Sequence, residues 1–375
     1  MYRAILLSIL TLEDIYIMKR IVLTGGGTAG HVTPNIALIP GLRDKDYDIQ
    51  YIGSYTGIEK ELIEPFDIPY HGISSGKLRR YFSMQNFTDP FRVLKGFSQA
   101  RSLLKELKPD VIFSKGGFVS VPVVLAAKKL GIPTICHESD ITPGLANKIA
   151  IPSATKVCCN FPETLDNLPA DKAVLTGSPI RQELLSGNRL AAMDLCGFSA
   201  GKPVILVIGG SLGSVIVNNA VREALPELLE HFNIIHLCGK GKVDESYNDT
   251  KGYAQFEYIK NELRDIFALS DIVISRAGAN AICELLALRK PNLLIPLSLN
   301  ASRGDQILNA RSFEKQGFSM VIEEEQLTKE SLIEAVNKLY EDRGSYMDAM
   351  KASGQQDSIK TILDLVDELA GSDED

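Results

Sequence analysis

Short runs of apolar residues alternate with longer amphipathic stretches along most of the 375-residue chain. Apolar runs of this length, bounded by glycine, proline or aspartate, are typical of strands buried in a parallel sheet. They predict strands in the first half at 20–24, 49–53, 110–114, 132–136, 155–159 and 173–176. In the second half they predict strands at 203–208, 233–238, 271–275, 291–296 and 318–322. With helices between these strands, the pattern predicts an α/β protein made of βαβ units.

A glycine-rich turn follows the first predicted strand of each half. Gly25-Gly26-Gly27-Thr28-Ala29-Gly30 comes after 20–24, and Gly209-Gly210-Ser211-Leu212-Gly213-Ser214 comes after 203–208. Such a turn points backbone N–H groups at one spot, where the dipole of the following helix favours an anion. In open α/β sheets this spot lies in the crevice beyond the carboxyl ends of the strands. The two turns therefore predict two similar domains that face each other across a cleft.

Chain length supports this division, because 375 residues exceed what one core usually holds. The last strand of the first sheet stops near Gly177–Arg181, which is the expected domain boundary. The first 17 residues contain an apolar run, Ala4–Leu10, that is too short to span a bilayer. Since Met18 directly precedes the first strand, we expect residues 1–17 to be a disordered and dispensable extension.

Charge and cysteine content exclude several classes of protein. The net charge of -7 argues against nucleic-acid binding, which requires a basic surface. The six cysteines show no C-x-x-C spacing and lie mostly in apolar runs, so we expect reduced core residues and no zinc site. We find no D-x-D sequence at a strand end, and we expect neither a metal ion nor a cofactor. Helix N-termini and arginines would then meet the charge of a bound diphosphate.

Segment 76–101 departs from the acidic character of the chain, with six basic residues, one acidic residue and five aromatic residues. Basic residues mixed with aromatic residues suit an anionic membrane surface. The alternative is an amphipathic helix that packs its phenylalanines inward. From the residues alone the two interpretations are equally favoured.

The first glycine turn also matches G-x-G-x-x-G at Gly25, Gly27 and Gly30, the pattern of dinucleotide-binding proteins. That function needs an acidic residue at the end of the second strand, which here ends in Gly53-Ser54. The missing acid argues against NAD. His31 follows the turn at the expected start of a helix, where it could be a general base or simply a capping residue.

Further polar clusters follow other predicted strands, so they converge on the same sheet edges. They are Ser114-Lys115-Gly116-Gly117, His137-Glu138-Ser139-Asp140, the segment 275–284 and Ser302-Arg303-Gly304-Asp305-Gln306. Glu284 would lie about two turns into its helix, too far to cap it. It could accept both hydroxyls of a ribose, or it could pair with Arg276 or Arg289.

Seven motifs, in this order, resemble those of the MurG family, the N-acetylglucosaminyltransferases that convert lipid I to lipid II in peptidoglycan synthesis. The motifs are TGGGTAGHVTPN at 24–35, KGGFVSVP at 115–122, HESDITPGLANK at 137–148, TGSPIR at 176–181, GGSLGS at 209–214, SRAGANAICE at 275–284 and RGDQILNA at 303–310. The resemblance runs from Met18 to about Leu369. It implies the GT-B fold, with two Rossmann-like domains across a cleft. It also implies an acceptor and membrane-associated domain at 18–181, a UDP-GlcNAc domain at 182–345 and a helix at 346–370 that crosses back to the first domain.

The resemblance implies roles for individual residues in binding the donor. Glu284 would bind the ribose, Ser211 and Arg181 would lie near the diphosphate, and Tyr258 and Ile259 would lie against the uracil. Two further residues would contact the donor sugar and phosphate. The full donor set is Arg181, Ser211, Tyr258, Ile259, Glu284, Asp305 and Gln306.

The acceptor side follows from the same resemblance. The diphosphate of undecaprenyl-linked lipid I would be embraced by Gly26, Gly27, Thr28, Gly30, Gly116 and Gly117. The membrane face would be Lys77, Leu78, Arg79, Arg80, Tyr81 and Phe82. For segment 76–101 the resemblance therefore favours membrane contact over a helix that packs its phenylalanines inward. The resemblance implies a peripheral protein on the cytoplasmic face of the cell membrane, and it allows a place in a cell-wall synthesis complex.

The chain departs from the family pattern at several positions. Many members read His-Glu-Gln-Asn where this chain has His137-Glu138-Ser139-Asp140, and paired glutamines where it has Asp305-Gln306. Leu212 stands where a polar residue is common. Asp140 is therefore a rival to His31 for the role of general base.

The implied reaction is an inverting transfer, in which an acceptor hydroxyl attacks the anomeric carbon of UDP-GlcNAc and UDP leaves from the opposite face. Four alternatives remain at this point. The nearest is a related UDP-sugar:diacylglycerol glycosyltransferase, and a UDP-GlcNAc 2-epimerase has a similar architecture. A catalytically silent subunit that binds nucleotide sugars is the third, and an NAD oxidoreductase is the least favoured.

Overall fold

A computed structural model describes residues 18–76, 89–210, 213–300, 302–353 and 357–371. Within these ranges the chain forms two parallel sheets, one of seven strands and one of six. The first sheet contains β1 (Arg20–Thr24), β2 (Asp48–Ser54), β3 (Tyr70–Ile73), β4 (Val111–Ser114), β5 (Thr134–Glu138), β6 (Lys156–Cys159) and β7 (Ala173–Leu175). The second contains β8 (Val204–Ile208), β9 (Asn233–Leu237), β10 (Tyr253–Phe256), β11 (Ile272–Ser275), β12 (Asn292–Leu294) and β13 (Ser319–Val321).

The strand order is β3-β2-β1-β4-β5-β6-β7 in the first sheet and β10-β9-β8-β11-β12-β13 in the second. Both orders reverse direction next to the first strand of the sheet, as in Rossmann-like domains. The crevices at these reversals lie between β1 and β4 and between β8 and β11. This confirms the prediction of two Rossmann-like domains, and it places both glycine turns at the reversals.

All eleven predicted strands occur, with bounds within two residues of those predicted. The strands β3 and β10 were not predicted. Each lies at an edge of its sheet, where one side of the strand is unpaired. Their sequences, YHGI and YAQF, mix polar and apolar residues, because an edge strand is not enclosed on all sides. A search for continuous apolar runs therefore misses them.

The helices between the strands begin and end at identifiable signals. The side chain of Asn188 caps one helix by accepting from Leu190 N and Ala191 N, and Ser214 caps another by accepting from Val217 N. The described helices are α1 (Thr33–Asp44), α2 (Ile58–Ile63), α3 (Asp89–Leu107), α4 (Ser120–Leu130), α5 (Leu145–Ala150), α6 (Arg189–Cys196), α7 (Val215–His231), α8 (Leu263–Leu269), α9 (Ala279–Ala287), α10 (Asp305–Lys315), α11 (Lys329–Glu341), α12 (Arg343–Ala352) and α13 (Ser358–Ala370).

The last helix, α13, packs on the first sheet rather than on the second. Its residues Ile362, Leu363 and Val366 are buried in the core formed by β1, β2 and α1. Asp367 adds polar contacts at the rim, accepting from Tyr47 Oη at 2.8 Å and pairing with Lys45. The chain therefore passes between the domains twice, once between β7 and α6 and once between α12 and α13. The exact bounds at 181 and 345 stay predictions.

Two expectations concern residues that the structure does not describe. The proposed extension at 1–17 and the proposed membrane residues Lys77, Leu78, Arg79, Arg80, Tyr81 and Phe82 lie outside the described residues. In the described part of the chain, none of the helices is long and apolar enough to cross a membrane. The six cysteines are free, and all except Cys196 are buried.

Candidate active site

The site lies where the carboxyl edges of the two sheets approach each other. Asn280, at the start of α9, donates from Nδ2 to the backbone oxygen of Gly30 over 2.8 Å. Asn309 of α10 donates from Nδ2 to Oδ1 of Asp140 over 3.1 Å. The first domain supplies Gly30 and Asp140, and the second domain supplies both asparagines. The sequence clusters predicted to converge on one cleft therefore do meet there.

Close packing shapes the first glycine turn. A Cβ atom on Gly26 would lie 2.5 Å from the carboxyl carbon of Glu59, and one on Gly117 would lie 2.2 Å from the Gly26 oxygen. The N–H of Gly27 donates to Glu59 Oε2 at 3.1 Å, and the N–H of Gly26 donates to Gly116 O at 3.3 Å. Both N–H groups thus have protein partners. A diphosphate at this turn would depend on other groups of the proposed acceptor set.

Glu59 was missed by the sequence analysis, although its buried carboxylate holds the turn in place. Besides Gly27, it accepts from the N–H and the hydroxyl of Ser54, at 2.9 and 2.5 Å. Burial raises the pKa of Glu59, but these hydrogen bonds outweigh burial and the net pKa is lowered. The carboxylate is therefore ionised at neutral pH.

His31 lies at the end of a 3₁₀ turn, Ala29–His31, at the mouth of the cleft. Its Nδ1 is 3.1 Å from the Gly26 oxygen and 3.1 Å from Thr28 Oγ1. Because a carbonyl oxygen can only accept, Nδ1 carries the proton and Nε2 has a free lone pair. Burial and the nearby charge of Lys115 lower the pKa of His31 to about 4. The imidazole is therefore neutral at physiological pH, with Nε2 able to accept a proton.

The rival base, Asp140, is held between the domains. Its Oδ1 accepts from Asn309, and burial raises the pKa of its carboxyl group. The neighbouring Glu138 orders the loop that follows β5. Its Oε1 accepts from the Asp140 N–H at 3.0 Å, and its Oε2 accepts from Asn147 Nδ2 at 2.8 Å. This geometry suits Asp140 for joining the domains better than for reaching a substrate hydroxyl.

The donor side is centred on Arg181 and Glu284. Both line a small cavity with Thr33, Pro34, Ser178, Pro179, Ile180 and Asn280. Arg181 pairs with Glu183 at 3.0 Å through Nη1, whereas its buried Nε has no hydrogen-bond partner in the described part of the chain. Burial raises the pKa of Glu284 to about 7, and Arg181 opposes that rise. An unpartnered buried donor and a poorly solvated carboxyl group at one cavity are features of a polar ligand-binding site.

The structural alternative for Glu284 was an ion pair with Arg276 or Arg289. Arg276 instead pairs with Glu324 and donates to Ser214 Oγ at 2.6 Å and to Ile295 O at 3.0 Å. Within the described ranges, Glu284 forms no ion pair with either arginine. Its carboxylate is therefore available to a ligand.

The remaining donor residues are placed around the same domain. Tyr258 is 59% exposed, and Ile259 beside it is buried. Gln306 accepts from Leu297 N–H at 3.1 Å, and Asp305 pairs with Arg303 at 2.7 Å. Ser211 lies outside the described residues.

Two observations bear on the charge of a bound diphosphate. Among the residues that the structure describes, no group of three His, Cys, Asp or Glu side chains is arranged to hold a metal ion. The N-terminus of α7, which follows the second glycine turn, and the Arg181 side chain supply positive character at the cleft. These groups are suited to an anionic ligand.

Comparison with known proteins assigns the architecture. The glycosyltransferase family 28 N-terminal domain matches residues 21–159, and the family 28 C-terminal domain matches residues 204–366. Relatives from Lachnospira eligens (68% identical, 93% of this chain and 99% of the relative) and Lachnoclostridium phytofermentans (67%, 94% and 99%) share one name. That name is UDP-N-acetylglucosamine--N-acetylmuramyl-(pentapeptide) pyrophosphoryl-undecaprenol N-acetylglucosamine transferase. The crystal structure of Acinetobacter baumannii MurG matches with a TM-score of 0.73, at 26% identity over 93% of this chain and 99% of that chain.

Proposed function

The chain belongs to glycosyltransferase family 28 and within it to the MurG family, and we propose that it transfers N-acetylglucosamine from UDP-GlcNAc to lipid I with inversion. The product is lipid II, the lipid-linked disaccharide of peptidoglycan synthesis. One observation carries the proposal for this chain. A neutral histidine with a free Nε2 lies in the first domain, and Arg181 and Glu284 line a small cavity together with Thr33 and Pro34 of that domain.

We assign the general base to His31. The hydrogen bond to Gly26 orients the ring and leaves Nε2 to take the proton of the attacking acceptor hydroxyl. The hydroxyl oxygen bonds to the anomeric carbon as the bond to UDP breaks on the opposite face. Asp140 instead joins the two domains by accepting from Asn309.

Each residue of the donor-binding set is assigned to one part of UDP-GlcNAc. The Glu284 carboxylate accepts from the ribose hydroxyls, and Arg181 Nε donates to the diphosphate as negative charge develops on the leaving UDP. Ser211 and the N-terminus of α7 add donors to the same diphosphate, and Tyr258 and Ile259 lie against the uracil. Gln306 contacts the donor sugar. Asp305 is already paired with Arg303, which makes its contact with the sugar the weakest of these assignments.

We place the enzyme at the cytoplasmic face of the cell membrane. The support is the sequence of the basic and aromatic segment around Lys77–Phe82, which suits an anionic lipid surface. An undecaprenyl-linked acceptor lies in that membrane. Membership of a cell-wall synthesis complex is compatible with this location.

The test is a transfer assay with two acceptors. The protein is incubated with labelled UDP-GlcNAc and either a short-chain lipid I analogue or diacylglycerol. Label in a lipid-linked disaccharide with the lipid I analogue alone is the expected result. Label in a glycolipid from diacylglycerol would move the chain to the related lipid glycosyltransferases, and tight UDP-GlcNAc binding without transfer would make it a binding subunit.

A further inference from the structure

Lys115 is a buried lysine of the polar cluster that follows β4, and the sequence analysis gave it no role of its own. It lies directly after β4, beside the glycine turn that follows β1, and it is only 1% exposed. Its N–H donates to Thr24 O at 2.9 Å, which fixes the backbone. Its Nζ donates to the hydroxyl of Ser139. A buried ammonium costs several kcal/mol in solvation, so its presence calls for a compensating use.

A line of hydrogen bonds runs from this ammonium across the domain interface. Ser139 Oγ donates to Asn280 Oδ1 over 3.5 Å, and Asn280 Nδ2 donates to Gly30 O over 2.8 Å. Gly30 precedes His31 in the chain. The line therefore starts in the first domain, passes through the first turn of α9 in the second, and returns to the turn that bears the histidine.

Lys115 also interacts electrostatically with most of the titratable groups in this part of the cleft. Burial lowers the pKa of the Lys115 ammonium, and the carboxylates of Glu138 and Asp140 oppose that fall by favouring its charged form. Its positive charge lowers the pKa of His31 and that of His137, in each case after burial as the larger cause. The titratable groups that face it are Glu138 and Asp140 after β5, His137 on β5, His31 after β1, Cys158 on β6 and Cys283 on α9. The charged groups that act on His31 are Lys115 and Glu59 on α2.

We propose that Lys115 is a positioning residue for the transfer, which acts on His31 in two separate ways. Through Ser139 and Asn280 it ties the second domain to the His31 turn, and its positive charge adds to burial in favouring the neutral imidazole. The inference rests on the proposed role of His31 as the base. It gives Ser139, which stands where many family members have glutamine, a function in this chain.

The two effects can be separated with two variants. Lys115→Met keeps the length of the side chain and removes both the charge and the donor. Ser139→Ala breaks the hydrogen-bond line and leaves the charge in place. Lys128→Met, on the exposed end of α4, is the matched control for removing a lysine. Urea unfolding of each variant shows whether it is folded.

The first readout is the pH dependence of kcat/KM for the lipid I analogue, which reports groups of the free enzyme. Lys115→Met should move the acid limb to higher pH by on the order of one pH unit, since losing a nearby positive charge makes the imidazole easier to protonate. Ser139→Ala should lower kcat/KM by roughly tenfold, which corresponds to the loss of one hydrogen bond to a charged group. The acid limb of its pH profile should not move. Lys128→Met should match the unchanged protein in both respects.

The second readout does not depend on turnover. NMR titration of the His31 ring, assigned by comparison with His31→Gln, should show a higher pKa in Lys115→Met than in the unchanged protein. An unmoved acid limb and an unmoved His31 titration in a folded Lys115→Met protein would overturn the inference, because a merely structural lysine changes stability alone. If the unchanged protein transfers no sugar, the proposed function fails instead, while the NMR titration still tests the charge effect.

Discussion

Replacing Glu284 with glutamine should stabilise the free protein and weaken its binding of UDP. Burial raises the pKa of this carboxyl group from 4.5 to about 7. In the unfolded chain the group would ionise near its ordinary pKa. The folded protein therefore holds a proton that the unfolded chain releases, and folding stability falls as pH rises through this range.

The magnitude follows from the difference between the two pKa values. At about 1.4 kcal/mol per pH unit, it corresponds to ~3 kcal/mol. This cost is absent below pH 4.5, grows between pH 4.5 and 7, and is complete above pH 7. Glu284→Gln has a similar shape and cannot ionise. It should therefore be more stable than the unchanged protein by up to about 3 kcal/mol at pH 8 and equal to it at pH 4.

The same substitution should cost affinity for UDP. A carboxylate accepts from both ribose hydroxyls, whereas an amide oxygen without the charge forms weaker bonds worth about 1.5–3 kcal/mol less. We expect UDP to bind roughly 10- to 100-fold more weakly to Glu284→Gln at pH 8.

Urea unfolding at pH 4 and pH 8 and calorimetric titration with UDP at pH 8 measure the two effects. Glu341→Gln, an exposed position at the end of α11, is the control, and neither quantity should change in it. Equal stability of Glu284→Gln and the unchanged protein at pH 8 would refute the argument from burial. Unchanged UDP affinity would show that the ribose does not contact Glu284.

Two further predictions concern the base and the crossing helix. His31→Gln should lower turnover by roughly 10²–10⁴-fold while UDP affinity stays within about twofold, because the ring acts on the acceptor hydroxyl. Near-normal turnover in His31→Gln, together with a large loss of turnover in Asp140→Asn, would assign the role of base to Asp140. Gly41→Val should destabilise the protein by about 1–3 kcal/mol in urea unfolding, because a Cβ at Gly41 would lie 2.5 Å from Cδ1 of the α13 residue Leu363. Gly344→Val, where a Cβ meets no atom within 4 Å, is its control, and equal losses at both glycines would contradict the assigned packing of α13.

Features encoded by neighbouring residues could be predicted from the sequence. The glycine turns, His31 and the polar clusters each follow a buried strand, and strand ends in a parallel sheet meet at one edge. The position of Glu284 followed from counting along its helix. The sequence did not show that Arg276 pairs with Glu324 and not with Glu284, because Glu324 lies 48 residues away from Arg276 in the chain.

Features that depend on distant partners could not be predicted in this way. Lys115, Asn280 and Asn309 lie within motifs identified in the sequence, but their contacts with the other domain or with another turn involve residues far away in the chain. The Glu59 carboxylate fills space left by glycines more than 30 residues earlier in the chain. The acceptor-binding role of Gly26 and Gly27 stays a prediction, and the protein partners of their N–H groups, Gly116 and Glu59, are far away in the chain.

The most direct test of the account is the structure of the product made from UDP-GlcNAc and the lipid I analogue. Proton NMR of the isolated disaccharide gives the configuration at the transferred anomeric carbon. A single displacement with His31 as base predicts a β-linked N-acetylglucosamine, because the donor sugar is α-linked to UDP. An α-linked product would contradict the single displacement, and with it the assignment of one base across the cleft from the donor.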